Sequence, residues 1–345
     1  MYVLFSGGVD SSLLLALATK VARERGLAEP TAITYRYDAP GSAIDVHYQE
    51  CAIAHIRATN WAVLERGTAE LIGPDAAAAI ATVGVLQPAP SHVHLAAFDL
   101  ARQAGPSPVV MTGEGGDETF AAQNCTIPRS LAAYTLRHSR QPRQVLARYR
   151  AASRWVFDSG RPPSVTKWFP WLTPEGMSEV KRRRLFPARP PAFRRLTAVD
   201  RRQRRGYAVD GIAQMSRLAD SRGVELVHPL LEDEFVTALT RQLPVRWFTS
   251  RSTLIGHLWP GLLPAEVLYR TSKGEFTDAY FGSACREFAA RWTGDSLASP
   301  YIDNERLRAS WLGDQPWPSA HLLQVAWASE CGLIGSSPST RDGQP

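Results

Sequence analysis

The sequence predicts an α/β fold: a parallel twisted sheet with helices on both faces, joined to a largely helical C-terminal half. Across residues 1–125, short apolar runs alternate with stretches of helical periodicity. This is the pattern of strand–helix–strand units, whose helical crossovers force neighbouring strands to run parallel. Two glycine-rich segments, Ser6–Ser12 and Thr112–Glu118, each follow an apolar run directly. In open parallel sheets, ligands sit beyond the carboxyl ends of the strands. Past residue 125 the strand signals fade, and later stretches rich in Leu and Trp read as helices.

Each element has its own basis. Tyr2–Phe5 is a first short strand. Ser11–Arg25 is a helix by its apolar stripe through Leu13, Leu14, Leu17 and Val21, stopped at Gly26. Thr31–Tyr37, rich in β-branched and aromatic residues, is a second strand. Ala43–Thr59 reads as a helix, Trp61–Leu64 as a third strand, His92–Ala104 as a helix stopped by Gly105, and Pro108–Met111 as a fourth strand. Ser130–Arg154 is polar and helical, and 160–195 is broken by prolines. Ala208–Arg222 carries Val209, Ile212, Met215 and Ala219 at helical spacing and stops at Gly223. Val224–Val227 is a last short strand leading into His228–Asp233. The expected organisation is one unit over 1–335, an α/β core at 1–125 and a helical part at 126–335, with a small polar disordered tail at 336–345.

Composition bounds the function. Apolar residues at 44% and charged residues at 21% describe a globular chain rather than a disordered or fibrous one. The apolar runs are too short to span a bilayer, and Met1–Phe5 enters the first glycine segment without the features of a secretory signal. Cys51, Cys125, Cys285 and Cys331 are far apart with no CxxC pair, which argues against a zinc ribbon, a thiol relay or a disulfide framework. Reduced thiols in the cytoplasm are expected. Of the net charge of +6, residues 181–206 hold eleven Lys and Arg against the single acid Asp200, so the rest of the chain is net acidic. That segment reads either as a solvated connector or as a surface for RNA, a phosphate-rich ligand or an acidic peptide.

A strand, then Ser6-Gly7-Gly8-Val9-Asp10-Ser11-Ser12, then a helix is a phosphate cradle. Glycines let the backbone approach an anion, while the helix start offers free amides and a favourable dipole. Ser6, Ser11 and Ser12 add hydroxyl donors. Asp10 would repel phosphate, so it fits only as a Mg²⁺ ligand or as an orienter of the loop. A tight turn with an N-capping Asp or Ser is the plainer alternative. The segment lacks the Lys-Ser/Thr of the GxxxxGK[ST] loop and the spacing of GxGxxG. Cleavage between α- and β-phosphates, with pyrophosphate in the loop, suits it better than γ-phosphate transfer.

Thr112–Glu118 interleaves Glu114, Asp117 and Glu118 with Gly113, Gly115 and Gly116. Acids beside a triphosphate are tolerated where metal ions bridge them, which makes Asp10 and Asp117 the natural Mg²⁺ ligands of bound ATP, with Gly113 and Gly115 lining the nucleotide. Glu114 or Glu118 is suited to positioning or deprotonating an attacking amine. An acidic surface turn is the alternative.

These two segments together resemble the synthetase domain of the asparagine synthetase superfamily, a branch of the PP-loop ATP pyrophosphatases (adenine nucleotide α-hydrolase-like fold). The resemblance covers most of residues 1–330. Downstream, His228-Pro229-Leu230-Leu231-Glu232-Asp233-Glu234 and Arg270-Thr271-Ser272-Lys273-Gly274-Glu275-Phe276 are most similar to the corresponding patterns of lasso peptide cyclases, apart from the extra Ser272. The resemblance implies ATP and Mg²⁺ as cofactors and places Lys273 near the α-phosphate during adenylation and acyl transfer; a compact ammonium suits a crowded phosphate. It implies a peptide substrate, a leader peptidase and a leader-recognition protein as partners, and no nucleic acid or membrane. Relatives usually carry an N-terminal glutaminase-like domain, and glutamine users need a cysteine after the first methionine, where this chain has Tyr2. The expectation is therefore no glutaminase domain and an amine supplied by the substrate, free ammonia or a partner. The alternatives weighed are a small-molecule amide or β-lactam synthetase, which would show Tyr in place of Glu114; a tRNA-modifying PP-loop enzyme, which should show catalytic cysteines or an RNA-binding appendage; and a non-catalytic binding subunit, against which the charged Asp10, Asp117 and Lys273 argue. Some Trp and Tyr residues of 155–171 and 247–280 are read as cavity lining or as ordinary core.

Overall fold

The computed structural model describes residues 1–39, 43–120, 168–183, 206–242, 250–272, 274, 276–314 and 316–334, with scattered positions between 135 and 149. Among the described residues five strands form one sheet: β1 (Tyr2–Leu4), β2 (Thr31–Tyr37), β3 (Trp61–Arg66), β4 (Val109–Met111) and β5 (Glu225–Val227), in the order β3-β2-β1-β4-β5. Every pairing is parallel, with Tyr2 against Thr31 and Val110, Ala32 against Trp61, and Val109 against Glu225. The chain winds from β1 outward to β3, then crosses back so that β4 joins the other side of β1. That reversal opens a crevice at the carboxyl ends of β1 and β4, where both glycine segments begin.

Alternation within β1 shows why both sheet faces are covered. Val3 and Phe5 enter one apolar cluster with Leu13, Leu15, Ala52 and Val267. Tyr2 and Leu4 pack against the other, which holds Ile80, Phe98, Leu218 and Val224. Successive side chains of a strand point to opposite faces, so a three-residue strand contributes to both layers. Helices α1 (Val9–Glu24) and α2 (Ala43–Ile56) serve the first face. Helices α3 (Pro74–Val83), α4 (Leu95–Gln103) and Gly206–Asp220 serve the second. A separate cluster of Trp171, Trp292, Trp311, Phe281, Phe288, Leu307 and Leu323 forms the core of the C-terminal helices.

Several element bounds differ from the sequence expectation for physical reasons. The first helix starts at Val9, not Ser11, because Gly8 is extended (φ −72°, ψ 159°) and serves as its N-cap. The expected helix His92–Ala104 is a 3₁₀ segment, Ala89–His94, followed by α4, with Pro90 in the segment's first turn. Helix α3 is additional: Pro74 at its first turn and Gly84 after its end bracket an alanine-rich run. Within 160–195, Pro174 begins a helix (Pro174–Arg182) rather than breaking one, since Thr173 caps it by accepting the Gly176 amide at 3.0 Å. The expected helix 130–154 lies mostly, and the tail 336–345 wholly, outside the described residues, as does most of the basic segment 181–206.

Candidate active site

The crevice between β1 and β4 is a cleft of about 730 Å³. It is lined by the two glycine segments, by the clustered rings of Tyr35, Tyr37, Phe276 and Tyr280, and by Arg251 and residues 270–272. In the first loop, Ser6 Oγ and Ser11 Oγ lie 3.2 Å apart, Ser6 Oγ accepts the Gly8 amide at 3.3 Å, and Ser11 Oγ donates to the Gly8 carbonyl at 3.2 Å. The helical ladder begins with Ser12 N–H to Gly8 O at 2.9 Å. The amides of Val9, Asp10 and Ser11 therefore have no acceptor within the helix, as expected of an anion-binding start. Ser6, Gly8, Asp10 and Ser11 line the cleft, whereas Ser12 is fully buried beneath it. Gly7, at φ +77°, packs against α2: a Cβ there would stand 2.9 Å from Gln49 Cγ and 3.0 Å from its backbone nitrogen.

The second loop is pressed onto the first. A Cβ on Gly113 would come within 2.9 Å of Ser11 N, and one on Gly116 would collide with the Asp10 carboxyl. Gly113 is thus required by the close approach of two backbones, and Gly116 by the Asp10 side chain packed on it. Gly113, Glu114, Gly115, Asp117 and Glu118 all face the cleft, with Glu114 exposed. Behind them, buried Thr112 bonds His228 Nδ1 at 2.6 Å and accepts the Glu114 amide at 3.2 Å. Thr119 Oγ1 donates to the Leu230 carbonyl at 2.9 Å, and a side chain on Gly115 (φ +90°) would meet Leu231. The segment after β5 therefore braces the acidic loop. Burial pushes His228 down to about 4, so its imidazole is neutral.

Asp10 and Asp117 share one partner, Arg251, which nothing in the sequence pattern singled out. One guanidinium nitrogen, Nη1, donates to Asp10 Oδ2 at 2.8 Å and to Asp117 Oδ1 at 2.6 Å. Asp10 Oδ1 is buried without a partner among the described residues. Burial raises the Asp10 carboxyl to about 7; Arg251 opposes the rise, while Asp117, Glu114 and Glu118 add to it. Two carboxylates from two loops, one with an unsatisfied oxygen, fit the donor set of a hard divalent cation.

A third segment closes the site. Buried Arg270 forks across the first loop: its Nη1 donates to the Gly7 carbonyl at 2.9 Å, Nη2 to Asp45 Oδ1 at 2.6 Å and Nε to the Ser272 carbonyl at 2.8 Å. Its guanidinium also stacks 4.1 Å over Tyr48. The Gly274 amide reaches Asp45 Oδ1 at 3.3 Å. Asp45 and Arg270 are not visible as site residues from spacing, since 225 positions separate them. Lys273 lies outside the described residues, between Ser272 on the cleft wall and Gly274 on Asp45. Among the Trp and Tyr candidates, Tyr280 lines the cleft, joined there by Phe276, while Trp171 belongs to the C-terminal core.

The arrangement brings together free amides at the start of α1, two carboxylates from two loops, and Arg270–Ser272 on the cleft lining. The sequence model of the family described as Asparagine synthase matches residues 1–329. No curated protein matches the chain. Among the described residues, no helix is long and apolar enough to cross a membrane.

Proposed function

The chain belongs to the asparagine synthase family, and from that premise we propose that this ATP-dependent, amide-forming synthetase is a lasso peptide cyclase. It adenylates an Asp or Glu side chain of a core peptide with release of pyrophosphate. The N-terminal amine of the same peptide then displaces AMP and closes a macrolactam. The observation that supports this reading best is the lining of the cleft, which joins two interlocked polar loops to the clustered rings of Tyr35, Tyr37, Phe276 and Tyr280. Such a lining suits a folded peptide segment, whose ordering brings amine and activated carboxyl together.

In this reading Ser6, Gly8, Ser11 and the first-turn amides of α1 hold the phosphates. Asp10 and Asp117 hold Mg²⁺, which when bound neutralises triphosphate charge. Glu114, exposed in the cleft, accepts the proton that the attacking ammonium must lose. Lys273 neutralises the α-phosphate. Cytoplasm is the proposed compartment, and a leader peptidase and a leader-recognition protein are the proposed partners.

The test is incubation with ATP, Mg²⁺ and linear core peptides bearing an N-terminal Gly and an internal Asp or Glu. AMP, pyrophosphate and a product lighter by one water are expected. AMP formation with a small acid and amine, but with no peptide, would sink the cyclase reading. Asp10→Ala and Lys273→Ala are each expected to abolish turnover; activity retained in either removes that residue's assigned role.

A further inference from the structure

Outside the cleft, α2 and the short helix Ala265–Leu268 meet along a surface with chemistry of its own. His47 and Cys51 stand four residues apart on α2, on one face of the helix. Glu266 meets them from the other helix. His47 Nε2 lies 3.1 Å from Glu266 Oε2, Cys51 Sγ lies 3.3 Å from the same oxygen, and Cys51 Sγ lies 3.6 Å from His47 Nε2. An imidazole nitrogen, a thiol sulfur and a carboxylate oxygen thus form a closed triangle. A tetrahedral zinc ion with bonds of about 2.3 Å to sulfur and about 2.0–2.1 Å to nitrogen and oxygen requires ligand separations of roughly 3.3–3.6 Å. All three edges of the triangle fall within about 0.2 Å of that range. A surface hydrogen bond fixes one such edge; here three are met at once.

We propose that His47 Nε2, Cys51 Sγ and Glu266 Oε2 form a binding site for a zinc-class divalent transition metal, with water as the fourth ligand. The donor set selects against Mg²⁺ and Ca²⁺, which prefer all-oxygen shells. Glu266 Oε2 accepts from the Cys51 thiol, and metal binding replaces that proton. The S–H bond breaks, the proton leaves to solvent and the thiolate binds, while neutral His47 and ionised Glu266 each supply a lone pair. Exposure of His47 and Glu266 leaves the remaining position open to water.

The location gives the site a consequence. Glu266 lies four residues before Arg270, and on α2 Tyr48 sits beside His47, with its hydroxyl 3.0 Å from Ser272 Oγ and its ring under Arg270. A metal bridging α2 and the Ala265–Leu268 helix therefore clamps the segment that carries Arg270 and Ser272 against the phosphate loop. The site stands apart from the cyclase reading, because its test reads the metal alone.

The test titrates Co²⁺ into the untagged full chain and follows its absorption. A cobalt–thiolate charge-transfer band in the near ultraviolet, with tetrahedral d–d bands displaced by Zn²⁺, is the expected result. Cys51→Ser removes the thiolate band, and His47→Gln, at a side chain that is 63% exposed, weakens Co²⁺ binding by more than ~10-fold, a scale that even outer-shell changes reach. A spectrum without the thiolate band, or one unchanged by both substitutions, overturns the proposal.

Discussion

Arg251 Nη1 touches Asp10 and Asp117 together, and its charge opposes the rise that burial imposes on the Asp10 carboxyl. With the guanidinium removed, the buried Asp10 carboxyl loses the group that opposes its rise, while the bond to Asp117, whose side chain is 71% exposed, is worth at most about 1 kcal/mol. Arg251→Met is expected to lower the thermal midpoint in the absence of Mg²⁺, with millimolar Mg²⁺ restoring most of the loss. A midpoint indifferent to Mg²⁺ would mean that Asp10 and Asp117 are not a metal pair. His228 gives a pH dependence of definite sign. Its folded value near 4 lies below the ordinary 6.5, so between those limits the unfolded chain binds a proton that the native state refuses. The stability present above pH 6.5 is therefore lost as pH falls toward 4, by at most on the order of 3 kcal/mol. Urea unfolding at pH 7.5 and pH 5 is expected to show this loss, and His228→Asn to reduce it. Asp10, Asp117 and His228 are legible in the sequence because each sits in a short motif of recognisable chemistry. Arg251 is not, because 241 positions separate it from Asp10 and it opens a short helix, Arg251–Leu258, that carries no motif of its own.

At the scale of elements, the site is a junction of three connections: the β1–α1 loop, the β4 loop and the 270–274 segment. Arg270 ties the first to the third, with 7% exposure for Arg270 and 8% for its partner Asp45. Removing one member of a buried pair leaves the other charge uncompensated, so Arg270→Ala is expected to cost about 3–5 kcal/mol in denaturant unfolding. Arg270→Lys keeps the charge but loses the three-way fork, and an intermediate loss is expected. The strands were readable because they are β-branched and bounded by helices; β2 runs over the residues that its composition predicts, Thr31–Tyr37. Helix α3 is mostly alanine, with Ile80 and Val83 as its large apolar residues, and only Gly73, Pro74 and Gly84 mark its ends in the sequence. In the helix Pro174–Arg182, proline spacing alone suggested a breaker, while the position of Pro174 right after a capping Thr173 makes it a start. The His47–Cys51–Glu266 triangle was equally hidden, since two of its members are one helical turn apart and the third is 215 residues from Cys51.

For the whole molecule, the sheet supplies the site and the C-terminal helices supply a second core behind it. Trp311 is fully buried there, with its ring 4.6 Å from that of Trp292 and its indole N–H donating to the Ser319 carbonyl at 3.1 Å. Trp311→Ala is expected to cost about 3–5 kcal/mol, measured by denaturant midpoint. A much smaller loss would show that this cluster contributes little to global stability. What the sequence determined by itself was local: strand, glycine loop and helix in series, and acids placed where a strand ends. Those follow from periodicity and backbone freedom, which act over a few residues. Only the tertiary structure decided that β4 returns beside β1, that Gly113 lies against Ser11, and that Arg251, Arg270 and Asp45 complete the cleft. Those depend on which distant surfaces bury each other, and burial is a property of the packed chain that no local pattern encodes.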